Sequence, residues 1–515
     1  VRSNRLHGGV AAMPLGLQLP VNSRHGEVAS MRPVEPQPVR KRKAEECIAG
    51  TSSSTSTTTS TQLFVEDGSA LDVGKLEELA RLKAVIASES TKPGELLKAL
   101  TELRDSFATS SHLPIQELIA IGGLAPLVER LQSPTTTALS RLETAWVLTN
   151  AAAGTSQQTH ALVDAGVPEA IIATLSSPDL ADRHDLCDQC LWVLGNIAGD
   201  GDTMMRDTLL GAGVMDALGH LVGSEMPGFS WRVNQRAQVL RTLTWLMRSL
   251  CRGVPAPALA EVDCCFDYFA QVLMGSDDAE MLYEALGGLC HLLEGSSSDA
   301  DNDARAERLL LTGFALGEAP PPTVPHPLLQ QVVCFARHSA HDEGTPLAVP
   351  ALRLLGLLVS ASKAELTDAA IASGAVQAFR LVLKDARAPD EVRRDAAWAL
   401  SNIAAGTRAQ AAAVVLDAGA WDALCSCIEK GAPHTVRRES AWAVVTLAKQ
   451  LGFQPADARD AAPAVDARRV LALVTAMLRD DRGEPTLQRA LLDAAELVLR
   501  YGVEVGRAQG LKMNP

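Results

Sequence analysis

The hydrophobic and polar positions of this chain divide it into short apolar runs separated by Gly, Pro and Ser/Thr. From about residue 75 to about residue 505, nearly every run has the length and composition of a helix. The composition agrees with this, because 47 % of the residues are hydrophobic, only 4 % are aromatic, and Ala and Leu dominate. That balance favours packed helices over sheets.

Three stretches depart from the helical pattern. Residues 1–62 mix Gly, Pro and scattered Arg and end in a Ser/Thr tract. They cannot bury enough apolar area to offset their chain entropy, so we expect a disordered basic arm. Residues 296–327 open with serines and close with a proline-rich run, which predicts an inserted surface loop with one short helix around Ala306–Leu311. Residues 506–515 are assigned to a C-terminal tail.

A segment containing tryptophan recurs along the chain. It reads ETAWVLTN at 143–150, CLWVLGN at 190–196 and DAAWALSN at 395–402, with looser copies at 243–249 and 439–446. The long gap between Trp245 and Trp398 leaves room for two more copies and the insertion. Internal repeats of this kind indicate a repeat architecture rather than a series of unrelated domains.

A second element, with glycine at its centre, follows these segments after a short gap. Two examples are DAGVPEA at 164–170 and DAGAWDA at 417–423. We expect the glycine to supply the left-handed C-cap of one helix before the next begins. A period of about 42–46 residues with two or three helices is typical of armadillo and HEAT repeats. The sequence therefore predicts an all-α solenoid of about nine repeats over residues 75–505.

The repeated Trp and Asn stand four residues apart, so both lie on one helix face. Indole faces in a row form slots that suit the aliphatic stems of Lys and Arg, with a cation–π attraction of roughly 0.5–2 kcal/mol each. An asparagine amide donates and accepts, so it can bind the backbone of an extended peptide. A single Trp is more often a packing residue, but the pair recurs, and Leu would serve packing better than Asn. The pattern favours a receptor for extended cationic peptides.

Charge is distributed unevenly along the chain. Residues 1–43 carry eight Lys/Arg against Glu27 and Glu35, whereas the whole chain has a formal charge of −14. The acidic body attracts cations and disfavours DNA or RNA, which bind to basic surfaces. No apolar run reaches the ~20 residues that span a bilayer, and the first residues contain no signal-peptide pattern. We expect no nucleic-acid or membrane partner.

Candidates for metal or redox chemistry are few. The ten cysteines lie mostly in apolar helical runs, which indicates reduced core thiols in a cytosolic or nuclear protein, and the CxxC at Cys187 and Cys190 is interpreted in the same way. Cys334, His338 and His341 share a predicted helix face, but no fourth ligand is evident. No nucleophile–base motif or phosphate-binding loop is present. We therefore predict no metal, no cofactor and no enzyme.

The repeats resemble those of the importin-α family of nuclear import adaptors. ETAWVLTNAAAGTSQQT at 143–159, LWVLGNIAGDG at 191–201 and LRTLTWLMRSLCR at 240–252 are similar to the family's second, third and fourth repeats, and 394–406 and 437–448 to its seventh and eighth. The resemblance covers roughly residues 75–505. It implies a right-handed superhelical armadillo solenoid, present in cytoplasm and nucleus, that binds Lys/Arg-rich nuclear localisation signals of cargo proteins in a concave groove. Importin-β and an export receptor are the further partners that it implies.

The same resemblance implies two peptide-binding grooves. The major-groove residues are Trp146, Asn150, Gly154, Thr159, Trp192, Asn196, Asp200 and Trp245. Among them, the Gly154 carbonyl, the Thr159 hydroxyl and the Asp200 carboxylate hold the positions of the family's lysine pocket, and three acceptors suit an ammonium with three donors. The minor-groove residues are Arg353, Trp398, Ser401, Asn402, Glu439 and Trp442.

Several family positions are changed. Ser249, Leu357 and Thr446 stand where the family has Asn, and Gly287 and His291 replace the aromatic and polar residues of the fifth repeat. We therefore expect weaker binding in the minor groove than in the major groove.

Two questions stay open at the level of sequence. The arm resembles the family's importin-β-binding segment only faintly, at Arg2–Leu6 and at Val39–Glu46, and the second segment contains the basic residues Arg40, Lys41, Arg42 and Lys43. It is either a plain basic tail or a segment that recruits importin-β and competes for the chain's own groove. The whole chain has an alternative interpretation as a non-import armadillo scaffold that binds extended peptides. The presence of Gly154, Thr159 and Asp200 favours the import adaptor, because a general scaffold needs no lysine pocket.

Overall fold

The computed structural model describes residues 73–508, except for 110–112, 178–179, 181–182, 223–232, 296–297, 313–320, 338–346, 418, 430, 455–462 and 481–483. The described residues form helices, with one pair of two-residue strands, and divide into two compact units. The first unit comprises residues up to Tyr268 and 275–277, and the second comprises 269–274 and the chain from Asp278 onward. The predicted arm at 1–62, with Arg40 to Lys43, lies outside the described residues.

The first unit contains eleven of the described helices. They are α1 (Val73–Ala87), α2 (Pro93–Thr109), α3 (Ile115–Ala120), α4 (Leu124–Gln132), α5 (Ala138–Ala152), α6 (Ser156–Asp164), α7 (Val167–Leu175), α8 (His184–Ala198), α9 (Thr203–Gly211), α10 (Val214–Val222) and α11 (Val233–Cys251). The next helix, α12 (Leu259–Gly275), contributes residues to both units.

The second unit continues with helices of the same kind. They are α13 (Ala279–Leu293), α14 (Asp299–Leu311), α15 (Pro327–Arg337), α16 (Ala348–Val359), α17 (Ala364–Ala372), α18 (Ala375–Lys384), α19 (Asp390–Ala405), α20 (Arg408–Leu416), α21 (Ala420–Glu429), α22 (His434–Leu451), α23 (Ala467–Asp480) and α24 (Pro485–Ala508). Strands β1 (Phe453–Gln454) and β2 (Val465–Asp466) pair in parallel between α22 and α23.

The helices of each unit form triples that stack on their neighbours. In the first unit, α2, α5, α8 and α11 pack on one another in chain order, and α1, α4, α7 and α10 form a second row. In the second unit, the corresponding rows are α13, α16, α19, α22 and α24, and α15, α18, α21 and α23. We call α5, α8, α11, α13, α16, α19 and α22 the third helices, because each is the last helix of its repeat; α13 ends a repeat in which α12 is the other described helix. This stacking is the armadillo arrangement that the repeats predicted.

Glycines join the first and second helices of the triples, as the sequence predicted. Gly166, between α6 and α7, has φ of 80°, and Gly374, between α17 and α18, has φ of 101°. A side chain is strained in this left-handed region, so glycine is required there. The predicted left-handed C-cap is confirmed at these junctions.

The surface loop expected at 296–327 is wrong for residues 299–305, whereas the short helix expected around Ala306–Leu311 is confirmed and begins earlier than expected. Residues 299–311 form α14, which packs against α13 and α17 and takes the place of a first helix in its triple. Ser298 caps it, and Asp303, Arg305, Ala306 and Leu309 are buried along one side. The acidic side chain of Asp303 is satisfied in this buried position, since it accepts a hydrogen bond from Ser362 N at 2.9 Å.

The C-terminal end of the repeats also differs from the prediction. Helix α24 runs to Ala508, so residues 506–508 are helical rather than part of a tail. In the described residues, no single helix is long and apolar enough to span a membrane. Two bent helix pairs, α17 with α18 and α20 with α21, reach that length and composition when each pair is taken together.

Candidate functional site

Three third helices of the first unit, α5, α8 and α11, carry Trp146, Trp192 and Trp245. We call these helices the first tryptophan stretch. Each helix packs on the next, so the tryptophans follow one another along the row. Trp192 is 5 % exposed, whereas Trp146 and Trp245 are half-buried. The structure thus brings together the three aromatic residues that the sequence predicted for the major groove.

Trp192 and Trp245 touch each other. Their ring centroids lie 5.1 Å apart, with an angle of 44° between the planes. An aliphatic stem held between two rings needs a carbon contact of about 3.5–4 Å on each side, or about 7–8 Å in all. The expected slot between these two indole faces is therefore wrong.

A glycine in the neighbouring helix allows this contact. A Cβ built on Gly195 of α8 would lie 2.0 Å from Cζ3 of Trp245, so no larger residue fits while the ring holds its place. Trp398 of α19 packs on Gly356 of α16 in a similar way, although there the distance would be 3.1 Å. Each of these glycines lies inside a helix, where glycine is otherwise unfavourable. Gly195 and Gly356 each stand three residues after the position of the repeated tryptophan in their helix. This spacing is the sequence signal for the contact.

The face of Trp146 is already covered by an arginine of the chain itself. The Arg104 guanidinium carbon lies 5.9 Å from the ring centroid, which is cation–π distance. Arg104 Nη1 also donates to Glu143 Oε1 at 2.9 Å. The sequence did not reveal this residue, because Arg104 belongs to α2 and only helix stacking brings it to Trp146.

The two asparagines of the first tryptophan stretch are buried. Asn150 Nδ2 donates to the Trp146 carbonyl at 3.0 Å, one turn earlier in α5. Asn196, 0 % exposed, donates from Nδ2 to the Thr149 carbonyl at 3.1 Å and so joins α8 to α5. The expectation that leucine would pack better than this asparagine is wrong, since its amide satisfies a buried carbonyl.

The predicted lysine-pocket residues lie where α5, α6 and α8 meet. Asp200 is 7 % exposed and accepts hydrogen bonds from Ser156 Oγ at 2.8 Å and from Asp202 N at 3.1 Å. Thr159 is buried and donates to the Thr155 carbonyl at 3.1 Å. A ligand ammonium would have to open this cluster to reach the Thr159 hydroxyl.

Gly154 has a packing role at the same place. A Cβ there would lie 2.2 Å from Oε1 of Gln158, which completes the capping box at the start of α6. Gly406 stands in the same relation to Gln410 and the capping box of α20, where the distance would be 2.0 Å. A larger residue at this position would displace the glutamine side chain from the capping box, so the glycine serves the helix cap whatever its carbonyl binds.

Arg252 directly follows α11 and lies beside Asp200. Its Nη2 donates to the carbonyls of Gly199 at 2.8 Å and Asp200 at 3.3 Å. Burial and the positive charge of Arg248 lower the pKa of Arg252. The chain thus places its own cationic group beside the backbone of the predicted pocket.

The second unit presents a corresponding row on α16, α19 and α22, which we call the second tryptophan stretch. Arg353 Nε donates to Glu294 Oε1 at 2.9 Å, and its Nη1 lies 3.7 Å from Asp395 Oδ2. Glu439 accepts from Arg438 Nη2 at 2.7 Å. Ion pairs dominate this row, whereas aromatic contact dominates the first.

The remaining predicted minor-groove residues are more accessible. Trp398, Ser401, Asn402 and Trp442 are all half-buried. The Asn402 Nδ2 atom itself is buried, and it has no hydrogen-bond partner among the described residues. Unlike Asn196, Asn402 therefore has a donor that is not used within the described part of the chain.

The cysteines of the CxxC are core residues. Cys187 and Cys190 are fully buried, and burial raises the pKa of both thiols, which keeps them protonated. Cys334 is exposed on α15, while His338 and His341 lie outside the described residues. Among the residues that the structure describes, no group of His, Cys, Asp or Glu is arranged to hold a metal ion.

Comparison with known proteins points to one group of relatives. A family model described as "Armadillo/beta-catenin-like repeat" matches residues 363–405, which cover the triple α17, α18 and α19. Importin subunit alpha-1b of Oryza sativa subsp. japonica is 31 % identical over 225 residues, which are 43 % of this chain and 38 % of the relative. Importin subunit alpha-1a of the same organism is 27 % identical over 340 residues, which are 66 % of this chain and 57 % of the relative.

The alignments thus cover less than two thirds of the length of these relatives. Among solved structures, the chain is similar to an engineered protein with a TM-score of 0.58 and 19 % identity, and the match covers 82 % of this chain and 98 % of that one. At this identity the structural match concerns the fold alone.

Proposed function

Because the chain is a divergent member of the importin-α and armadillo-repeat family, we propose that it is a nuclear import adaptor. It binds Lys/Arg-rich nuclear localisation signals along its third helices and links the cargo to importin-β. It works in the cytoplasm and the nucleus, without a cofactor, and an export receptor returns it. Relatives named as importin-α subunits support this proposal.

One observation of the structure carries the proposal furthest. Three successive packed helices each present a tryptophan, and the middle helix is followed by the Asp200 carboxylate. Indole faces bind the aliphatic stem and the charge of Lys or Arg, and a nearby carboxylate adds attraction for the ammonium. The formal charge of −14 adds a long-range attraction for basic peptides.

Titration of a labelled Lys/Arg-rich peptide tests the proposal. Asp200→Lys replaces the carboxylate by a cation and should weaken binding at least tenfold, because a charge-assisted hydrogen bond is lost and repulsion is added. Asp216→Lys is the matched control, since Asp216 is exposed at the start of α10, a second helix. It should leave the affinity unchanged.

A second variant protects this test against misfolding. Asp200 is nearly buried and accepts two hydrogen bonds, so its replacement can disturb the local fold. Trp146→Ala removes a half-buried ring and should also weaken binding. Wild-type affinity in both Asp200→Lys and Trp146→Ala would contradict the assignment to the first tryptophan stretch.

The basic arm has its own test. If Arg40, Lys41, Arg42 and Lys43 compete for the chain's own groove, deletion of residues 1–62 should strengthen binding of the signal peptide. It should also abolish capture of importin-β. Equal peptide affinities with and without the arm would exclude autoinhibition, and retained capture of importin-β would exclude the arm as its binding segment.

The buried asparagines bear on the alternative function, a non-import scaffold that binds extended peptides whatever their charge. Asn150 and Asn196 spend their donors within the protein, so the first tryptophan stretch binds a ligand backbone less readily than its sequence suggests. A scaffold of this kind should bind a peptide equally well after every Lys and Arg is changed to Gln. The import adaptor should lose such a peptide.

A further inference from the structure

A cavity of about 250 Å³ lies in the second unit. It is formed by residues at the C-terminal ends of α13 and α16 and by residues of α14. Its lining includes Leu293, Glu294, Gly295, Asn302, Leu357 and Ala361. None of these residues was predicted to bind peptide, and the cavity has room for a long side chain.

The cavity stands at the same place in its repeat as the predicted lysine pocket does in the first unit. In the first unit, Gly154 stands four residues after Asn150, and Asp200 stands four residues after Asn196. Thr159 is the fourth residue of the helix between them, α6. By the same rules, the positions in the fifth and sixth repeats are those of Gly295, Asn302 and Ala361. All three line the cavity.

One exchange distinguishes the two places. Ala361 stands where Asp200 stands, so the carboxylate is missing from that wall, and a small side chain leaves the space open. Glu294 supplies a carboxylate from the opposite side, at the end of α13. The carboxylate at the cavity thus follows α13, the earlier of its two third helices, whereas Asp200 follows α8, the later of the two at the predicted lysine pocket.

The surroundings favour a positive charge. Two helices, α13 and α16, direct their C-terminal ends toward the cavity, and such ends carry partial negative charge. Helix α14 adds Asp299, Asp301, Asp303 and Glu307. Arg305 and Lys363 pair with Asp301 and Glu307, and Arg353 pairs with Glu294, so these cations offset part of that charge.

Glu294 keeps capacity for a ligand. Its Oε1 accepts from Arg353 Nε at 2.9 Å, and its Oε2 lies 3.9 Å from His291 Nδ1. The side chain is 33 % exposed, and each carboxylate oxygen can accept two hydrogen bonds. Burial alone would raise the pKa of the Glu294 carboxyl, but the neighbouring His291 and the Arg353 guanidinium hold that pKa below its ordinary value.

We propose that this cavity is an additional subsite for one basic side chain of a bound peptide, between the fifth and sixth repeats. The aliphatic stem packs on Leu293 and Leu357, and the cationic end binds Glu294 and the amide oxygen of Asn302. The proposal rests on the peptide-binding function above and adds a position at which the ligand is selected.

The second tryptophan stretch gives the expected place of this residue in the peptide. Neighbouring packed helices lie ~8–10 Å apart, and an extended peptide advances ~3.3 Å per residue, so one repeat corresponds to about three residues. The cavity lies one to two repeats from Trp398 along the row α13, α16, α19. A basic residue about three to six positions from the one that contacts Trp398 should reach it.

A peptide scan on the full chain tests the subsite. The probe is a neutral host peptide with a Lys-Arg anchor at one end, in which a single Arg is moved from position to position. We expect one position, three to six residues from the anchor, to raise the affinity about tenfold, as one charge-assisted hydrogen bond does. Ala361→Phe, which fills the cavity from a half-exposed position, should abolish that step.

Glu294→Gln should reduce the same step, whereas Glu280→Gln should not, because Glu280 lies in the first turn of α13, at the helix end opposite Glu294. Equal affinity for every Arg position would overturn the proposal, as would a preferred position that survives Ala361→Phe. Weaker binding of the anchor in Trp398→Ala shows that the anchor lies on the second tryptophan stretch, and the titration with Asp200→Lys and Trp146→Ala reports on the proposed function separately.

A peptide-free measurement keeps the subsite testable even if the anchor does not bind. Agmatine, which is an arginine side chain without the peptide backbone, should raise the Tm of the wild-type chain more than that of Ala361→Phe. Equal Tm shifts in the two proteins would contradict the subsite.

Discussion

The two tryptophan stretches keep the same repeat but use it differently. In the first stretch, Trp192 and Trp245 touch, and Asn196 is fully buried with its donor spent on α5. In the second stretch, Arg353 lies between two carboxylates, and the Asn402 donor has no partner among the described residues. The stretch whose sequence matches the family better is therefore the more sealed one. A preserved motif shows which residues occupy a row, not how accessible they are.

The largest expected difference in stability concerns Gly195 and Gly356, the two glycines on which tryptophan rings pack. Gly195→Ala places a Cβ 2.0 Å from Trp245 and should destabilise the first unit by about 3 kcal/mol, the upper range for overpacking. Gly356→Ala meets Trp398 at 3.1 Å and gains about 1 kcal/mol of helix propensity, so its net effect should be small. Urea unfolding followed by circular dichroism measures both. Similar losses in the two variants would show that the ring contact does not distinguish the stretches.

The second-largest expected difference in stability concerns Asn196 and Asn402. Asn196→Leu leaves the Thr149 carbonyl without its donor and should cost about 2 kcal/mol of unfolding free energy. Asn402→Leu removes an amide nitrogen that has no partner in the described structure, so stability should stay the same or rise. The same unfolding experiment decides this pair. A larger loss for Asn402→Leu than for Asn196→Leu would reverse our view of the two stretches.

Arg104 offers a smaller, opposite effect on binding. Its guanidinium covers the Trp146 ring, so a ligand cation has to displace it. Arg104→Ala should strengthen binding of a Lys/Arg-rich peptide about two- to fivefold, the size of one exposed cation–π contact. Arg81→Ala is the control, because Arg81 pairs with Glu102 at 2.8 Å without any contact to a tryptophan among the described residues. Weaker binding in Arg104→Ala would mean that Arg104 helps the ligand instead.

The smallest effect concerns pH and belongs to the second unit. The pKa of Glu294 is lower in the folded chain than its ordinary value of 4.5, so its ion pair stabilises the fold above that pH. This contribution is lost as the pH falls below 4.5 toward the folded-state pKa. Thermal unfolding at pH 7 and pH 4 should show a smaller loss of Tm for Glu294→Gln than for the wild type. An identical loss of Tm in both proteins would show that Glu294 does not contribute to the acid sensitivity of the fold.

Much of the fold could be predicted because its determinants are local. Tryptophan segments and glycine junctions repeat in the sequence, and both mark helix ends or faces within one triple. The first half of helix α14, residues 299–305, was not predicted; Asp303 and Arg305 there are polar yet buried, and their partners, Ser362 and the Leu292 carbonyl, lie outside that helix. Composition alone cannot reveal a polar residue that finds its partner in tertiary structure.

The candidate site was predicted in its residues and less well in its geometry. Spacing placed Trp192 and Trp245 on the same row, but their contact depends on Gly195 and on the rotamer of each ring. The role of Asn196 depends on the Thr149 carbonyl of another helix, and Arg104 reaches Trp146 only because α2 packs on α5. These are contacts between triples, which a pattern within one triple does not encode.

The stacking of triples has a consequence for how this chain can change over evolutionary time. Each triple rests chiefly on the one before and the one after, so its stability is nearly a sum of its own term and two interface terms. A substitution on the outward side of one triple leaves those interface terms intact. The fifth and sixth repeats can therefore hold a cavity and lack the repeated tryptophan while neighbouring repeats keep theirs. Ligand preference in such a chain can change in one triple while the other triples keep theirs.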